Sequence, residues 1–204
     1  MLNLIKKDFI LQKNLMFVYL IVLALFLSSD FNFSFVIALV STLILFNSQY
    51  YDEKEKAHIL INSLPYTRKE IVSSKYIGGL LFTLCLIPIG YVGTFFLGDT
   101  VLSSPVRSII MGFLIVMVVS SFFLPFFYKF TQQYLLIAFS ILLALSFFLY
   151  SKLSQFIAKH FGEFIAFYEG INDGVLLGSI AAIAISCYAL SWMLSIKIYQ
   201  RKAF

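Results

Sequence analysis

Residues 108–128 read SIIMGFLIVMVVSSFFLPFFY, 21 positions without a charged side chain. Apolar residues fall on every side of this stretch, so it fits neither strand alternation nor a half-polar helix. A helix needs about 20 mostly apolar residues to cross a hydrocarbon core about 30 Å thick. Lipid offers the backbone no hydrogen-bond partner, so such a segment must satisfy its own amides as a helix. Five more charge-free runs surround it, at 14–29, 31–51, 76–98, 130–151 and 174–196. They hold 16, 21, 23, 22 and 23 residues.

Composition agrees with this reading. Hydrophobic residues make up 61% of the 204 and charged residues only 12%, against about 25% charged in a soluble domain. Mean hydropathy is +0.94. A barrel would alternate polar and apolar in segments of about 10, and these runs do not. The expected fold is therefore all-α, a polytopic membrane protein with six transmembrane helices in a single transmembrane domain, 1–204. The first run is short, but Lys13 reaches the interface by snorkelling. Asp30 is the only charge between the first two runs and predicts a tight helical hairpin at Ser29-Asp30-Phe31-Asn32. The alternative, one long helix, would strand Asp30 at membrane depth. The first residues carry no apolar core followed by a small-residue cleavage site, so they do not read as a cleavable signal.

Six spans place both termini on one side, and Lys and Arg in short loops set which side. Of the 15 Lys and Arg residues, 12 fall in the termini, the 52–75 loop and the 129–133 turn. The other three, Arg107, Lys152 and Lys159, lie opposite. The termini and the 52–75 loop are thus expected in the cytoplasm. The net charge of +5 follows from this topology and is not a nucleic-acid footprint, because no basic face with aromatic platforms stands apart from the spans.

Outside the spans the chain carries three features. Residues 1–13 place Leu2, Ile5 and Phe9 on one helical face beside Lys6, Lys7 and Lys13, which predicts an interfacial helix anchored in the headgroups. A helix transmitting motion from a cytoplasmic partner is the alternative. In the 52–75 loop, a charged block, Asp52-Glu53-Lys54-Glu55-Lys56-Ala57-His58, precedes an apolar patch of Ile59, Leu60, Ile61 and Leu64. Leu64-Pro65 breaks the helix, and Thr67-Arg68-Lys69-Glu70 fits a capping box that starts the next one. Beyond the fifth run, residues 152–170 repeat apolar positions at helical spacing, with Lys152, Gln155, Lys159 and Glu163 opposite, so an extracellular amphipathic helix is expected there.

Within the spans, Gly78, Gly79, Pro88, Gly90 and Gly93 predict a kinked third helix covered by neighbours. Gly174, Gly178, Ala182 and Ser186 recur every four residues and allow close helix approach. Packing within the chain is the first reading of that stripe and a dimer contact the second. Cys85 and Cys187 lie inside spans and read as packing residues.

Several chemistries are missing from the sequence. There is no GxxxxGK[ST] phosphate loop and no HExxH or paired-cysteine metal signature. His58 and His160 are expected on opposite sides of the membrane and cannot share a metal, so each reads as a surface residue. All charges lie outside the six runs, which argues against a membrane enzyme and against a proton- or sodium-coupled carrier. If the chain drives transport, its energy source sits on another polypeptide.

The loop sequence NSLPYTRKEIVSSKY (62–76), preceded by Asp52-Glu53-Lys54, resembles the segment between spans two and three of ABC-2 type transporter permeases, in particular small bacterial subunits. The order of interfacial helix, hairpin, charged loop, further spans and outer amphipathic helix is similar as well. The resemblance implies two permease copies, as a homodimer, paired in the bacterial plasma membrane with two cytoplasmic ABC ATPase subunits. No cofactor is expected in this chain, with ATP and Mg held by the partner. The 52–66 segment is then a coupling helix, with Glu53, Glu55, His58, Ile59, Leu60, Leu64, Pro65 and Arg68 as the partner contact. A narrower similarity is to exporters of amphipathic cytolytic peptides of the phenol-soluble modulin type. It implies an amphipathic or hydrophobic peptide cargo and a path touching Phe156, Phe161 and Phe164. The rival reading is a non-transporting membrane scaffold or immunity subunit that binds peptide.

Overall fold

Charge-free runs with no external backbone partners produce helices throughout the described residues (2–29, 31–54, 66–97, 105–130 and 173–201) of the computed structural model. They are α1 (Leu2–Gln12), α2 (Met16–Leu27), α3 (Phe33–Lys54), α4 (Arg68–Leu97), α5 (Pro105–Lys129) and α6 (Asp173–Arg201). Four of them, α3 to α6, are long and apolar enough to cross a membrane. A fifth span exists if α1 and α2, bent by 71° at their break, count as one. The six-span expectation thus narrows to four or five among the described residues. With 12 residues, α2 reaches only about 18 Å at 1.5 Å per residue. Residues 131–151 of the fifth run and the 152–170 segment, with Phe156, Phe161 and Phe164, lie outside the described residues.

The hairpin expected around Asp30 is present as two separate helices. The Ser28 and Ser29 hydroxyls donate to the Leu25 carbonyl at 2.9 and 2.7 Å and close α2. The amides of Phe35 and Val36 donate to the Asn32 carbonyl at 2.9 and 3.1 Å and open α3. Tyr19, Leu23 and Leu27 then pack in one core with Phe33, Val36, Ile37, Val40 and Ile44. The capping box is also formed. The Glu70 amide donates to Thr67 Oγ1 at 3.2 Å, and Glu70 Oε2 accepts from the Thr67 amide at 2.8 Å and its hydroxyl at 2.9 Å. Pro88 and Pro125 lie inside continuous helices.

The hub is α4, which touches all five other helices. Its first turns enter a core with Leu4 of α1, Leu114 and Leu124 of α5, and Ala184, Tyr188 and Tyr199 of α6. Farther along, Phe82 and Leu86 enter the second core, with α2 and α3. Small residues set how near the helices come. A Cβ on Gly112 of α5 would stand 3.3 Å from the Ser34 Cα and carbonyl oxygen of α3. Ser34 Oγ donates to the Ser108 carbonyl at 2.8 Å across the same contact.

Large side chains cover the outside, among them Phe17, Phe96 and Leu190 at 77%, 83% and 68% exposure. A surface this apolar suits lipid and not water. Two expectations are corrected here, and the inward face of α1 is added to them. Cys85 and Cys187 are exposed, not packed inside. On α6 only the row Ala184, Tyr188, Ser191, Ser195 and Tyr199 is buried, so the Gly174, Gly178, Ala182 and Ser186 stripe is exposed, with nothing within 4 Å of a Cβ on Gly178. On α1 the inward face is Leu4, Ile5, Asp8 and Gln12, while Leu2 is 80% exposed. Burial of α1 follows its polar partners on α3 and α4, not its most apolar face.

Candidate functional site

Three helices bring four charges together at the Lys- and Arg-rich end of the bundle. Asp8 comes from the inward face of α1, with Lys7 beside it. Asp52 lies one turn beyond Ser48 near the end of α3, and Lys75 sits in the second turn of α4. Lys75 Nζ lies 2.9 Å from Asp8 Oδ1 and 2.5 Å from Asp52 Oδ2. Lys7 Nζ lies 2.5 Å from Asp52 Oδ1 and 3.3 Å from Asp8 Oδ1. Two cations and two anions alternate, so the group is neutral as a whole. Lys75 also donates to Ser48 Oγ at 2.7 Å, which gives each of its three protons an acceptor. This matters because Lys75 and Asp8 are buried, and a buried charge is tolerated only when it is paired and hydrogen-bonded. One turn farther along α1, the Gln12 side-chain amide donates to the Ile44 carbonyl of α3 at 3.1 Å. These contacts fix α1 across the ends of α3 and α4.

The next residue of α4 faces the other way. Tyr76 is fully buried, and its hydroxyl lies 2.7 Å from both Ser191 Oγ and Ser195 Oγ of α6. Ser191 donates to the Ser121 carbonyl of α5 at 2.5 Å. Its single proton is thereby used, so Tyr76 donates to Ser191 and Ser195 donates to Tyr76. Tyr188 of α6 donates to the Tyr76 carbonyl at 2.9 Å, and Trp192 Nε1 donates to Ser73 Oγ at 3.0 Å. The Tyr76 ring stacks on Trp192 at 5.7 Å and meets Tyr188 edge-on at 5.1 Å.

Arg68, the first residue of α4, reaches the end of α6. Its Nη1 donates to the Gln200 carbonyl at 2.7 Å and to that of Tyr199 at 3.4 Å. Carbonyls in the last turn of a helix lack intrahelical partners and carry partial negative charge, so a guanidinium suits them. Of the residues assigned to a partner contact from sequence, Arg68 therefore sits against α6, and Glu53 lies in the last turn of α3 beside Asp52. Glu55, His58, Ile59, Leu60, Leu64 and Pro65 lie outside the described residues.

The charge group was not found from sequence. Asp52 and Lys75 each lie one residue outside a charge-free run, where they pass for ordinary flanking charges. Asp8 gave a local signal, being an acid on the helical row of Leu4, Ile5 and Gln12. Tyr76 and its two serines gave none, because serine and tyrosine are common in spans. Among the described residues no group of His, Cys, Asp and Glu is arranged to hold a metal.

The arrangement is mechanical in character. It ties α3 and α4, which flank residues 55–65, to α1 and α6. Comparison with known proteins agrees with a transport role. The profile of the ABC-2 family transporter proteins matches residues 3–200, nearly the whole chain. No curated protein and no solved structure matches it. With its candidate spans and the family match together, this multi-pass membrane chain belongs to the ABC-2 family of transporters, as a non-catalytic membrane subunit that implies an ATPase partner.

Proposed function

We propose that this chain is the permease half of an ATP-driven exporter, and that its 52–66 segment docks on a cytoplasmic ABC ATPase. The observation that carries this reading is the Asp52–Lys75 ion pair at 2.5 Å. It closes the base of the loop that the family resemblance assigns to docking. The pair and its partners on α1 fix the two helices that flank the loop, so force delivered to them is passed to the spans together. On this reading the charged end of the bundle faces the cytosol, in line with the 12-to-3 division of Lys and Arg. Two copies of the chain pair with two ATPase subunits, and Glu53, Glu55, His58, Ile59, Leu60, Leu64, Pro65 and Arg68 supply the contact. The cargo is an amphipathic or hydrophobic peptide, supported by the 24 phenylalanines and by the amphipathic pattern at 152–170.

The test is co-expression of this chain with the ABC ATPase subunits of its own cell. The two proteins are expected to purify together, with nucleotide hydrolysis only when the ATPase is present. Leu60→Asp and Glu55→Lys should abolish co-purification while the permease still inserts. Undiminished co-purification of both variants would overturn the docking assignment. Proteoliposomes holding the complex should move a fluorescent amphipathic peptide on addition of ATP, and ATP-independent movement would overturn export.

A further inference from the structure

Four hydrogen-bonded links join the first nine residues of α4 to a short part of α6. Arg68 holds the carbonyls of Tyr199 and Gln200, Ser73 receives Trp192, Tyr76 OH meets Ser191 and Ser195, and the Tyr76 carbonyl receives Tyr188. The remainder of α4 meets α2 and α3 through apolar contacts of Phe82, Leu86, Gly79 and Gly90. Apolar contacts are non-directional and tolerate sliding, whereas a chain of directed hydrogen bonds between two rigid helices holds one register. The start of α4 is thus joined to α6 by directed bonds from Arg68 to Tyr76, as Lys75 joins it to α1 and α3.

We propose that α6 is the element that loop movement drives, and that Tyr76 is the positioning residue that carries displacement from α4 to α6. Adjacent residues divide the task. Lys75 holds the loop base to α1 and α3, and Tyr76 passes movement on to α6. The driven helix is the one with the least cover among the described residues, exposing Ile183, Ile185, Leu190, Met193 and Leu194. It packs against α5 as well, where Ser191 donates to the Ser121 carbonyl, so its movement is shared with α5. This inference rests on the docking reading, since it needs an ATPase to move the loop.

The experiment uses the permease–ATPase complex in nanodiscs. Cys85 and Cys187, both exposed, are first replaced by serine. Spin labels are then placed in pairs at exposed positions, Ile21 of α2 with Leu84 of α4, and Ile21 with Leu190 of α6. Distances are read without nucleotide and with ATP trapped by vanadate. In the otherwise native chain both distances should shift on trapping. In Ser73→Ala/Tyr76→Phe/Tyr188→Phe, which keeps every ring and leaves Arg68 and the loop intact, the α4 shift should persist and the α6 shift should fall below half. If that variant loses its fold, Tyr76→Phe alone should reduce the α6 shift in the same direction. An α6 shift that survives in full beside an α4 shift, or a native complex in which α4 moves and α6 does not, overturns the proposal alone. If neither helix moves although the ATPase is bound, the docking reading falls and the proposal with it.

Discussion

The two halves of α4 are held by different physics. Its charged end, from Arg68 to Tyr76, is fixed by an ion group and by hydrogen bonds to α1, α3 and α6. Its apolar half has Gly79 against Leu45 and Gly90 against Ile37 and Phe33, contacts with shape but no direction. One end fixes register and the other fixes only distance. On the docking reading, the directed end is the one that passes force to its neighbours without losing register. The price of such an end is buried charge, kept only because each partner is present.

The harshest way to break this contrast is Lys75→Met. It leaves buried Asp8 and half-buried Asp52 with Lys7 alone, and removing one member of a buried ion group costs about 3–5 kcal/mol. Detergent unfolding of the purified chain should show a loss of that order. The compound variant Asp8→Asn/Lys75→Met leaves Lys7 paired with Asp52, removes the imbalance and should recover part of the stability while still losing coupling. A compound variant less stable than Lys75→Met would mean that the charges contribute by attraction and not by mutual neutralisation.

A milder change sharpens the other side of the comparison. Gly112→Val pushes into the Ser34 backbone, which has no rotamer to give, and overpacking of this kind costs about 1–3 kcal/mol. Gly178→Ala meets nothing within 4 Å and should stay within about 0.5 kcal/mol. The same unfolding assay compares the two. Equal losses would show that the exposed α6 stripe is as closely covered as the α3–α5 contact.

Much of this was legible in the sequence, for definite reasons. Charge-free length identified four of the six expected spans, α3 to α6, because lipid penalises charge wherever it lies. Asp30 marked the hairpin, and Thr67 with Glu70 marked the start of α4, since both signals are local. The inward face of α1, Leu4, Ile5, Asp8 and Gln12, was not read: the expectation placed Leu2, Ile5 and Phe9 on one face in the headgroups and assigned no face to the protein. The partners that bury Asp8 and Gln12 lie at Lys75 and Ile44, 67 and 32 residues away, and no periodicity records them. The inward face of α6 was hidden for another reason. A helix that is apolar all round gives no signal of which side meets protein, so Tyr188, Ser191 and Ser195 passed as filler while the glycine stripe drew attention.

The central claim is that the charged end of α4 is where the ATPase acts, and a photo-crosslinking residue tests it most directly. Placed at Lys69, exposed in the first turn of α4, it should crosslink to the ATPase in the purified complex; placed at Val175, exposed near the far end of α6, it should not. Crosslinking from Val175 with none from Lys69 would put the motor at the wrong end of the bundle and contradict the account.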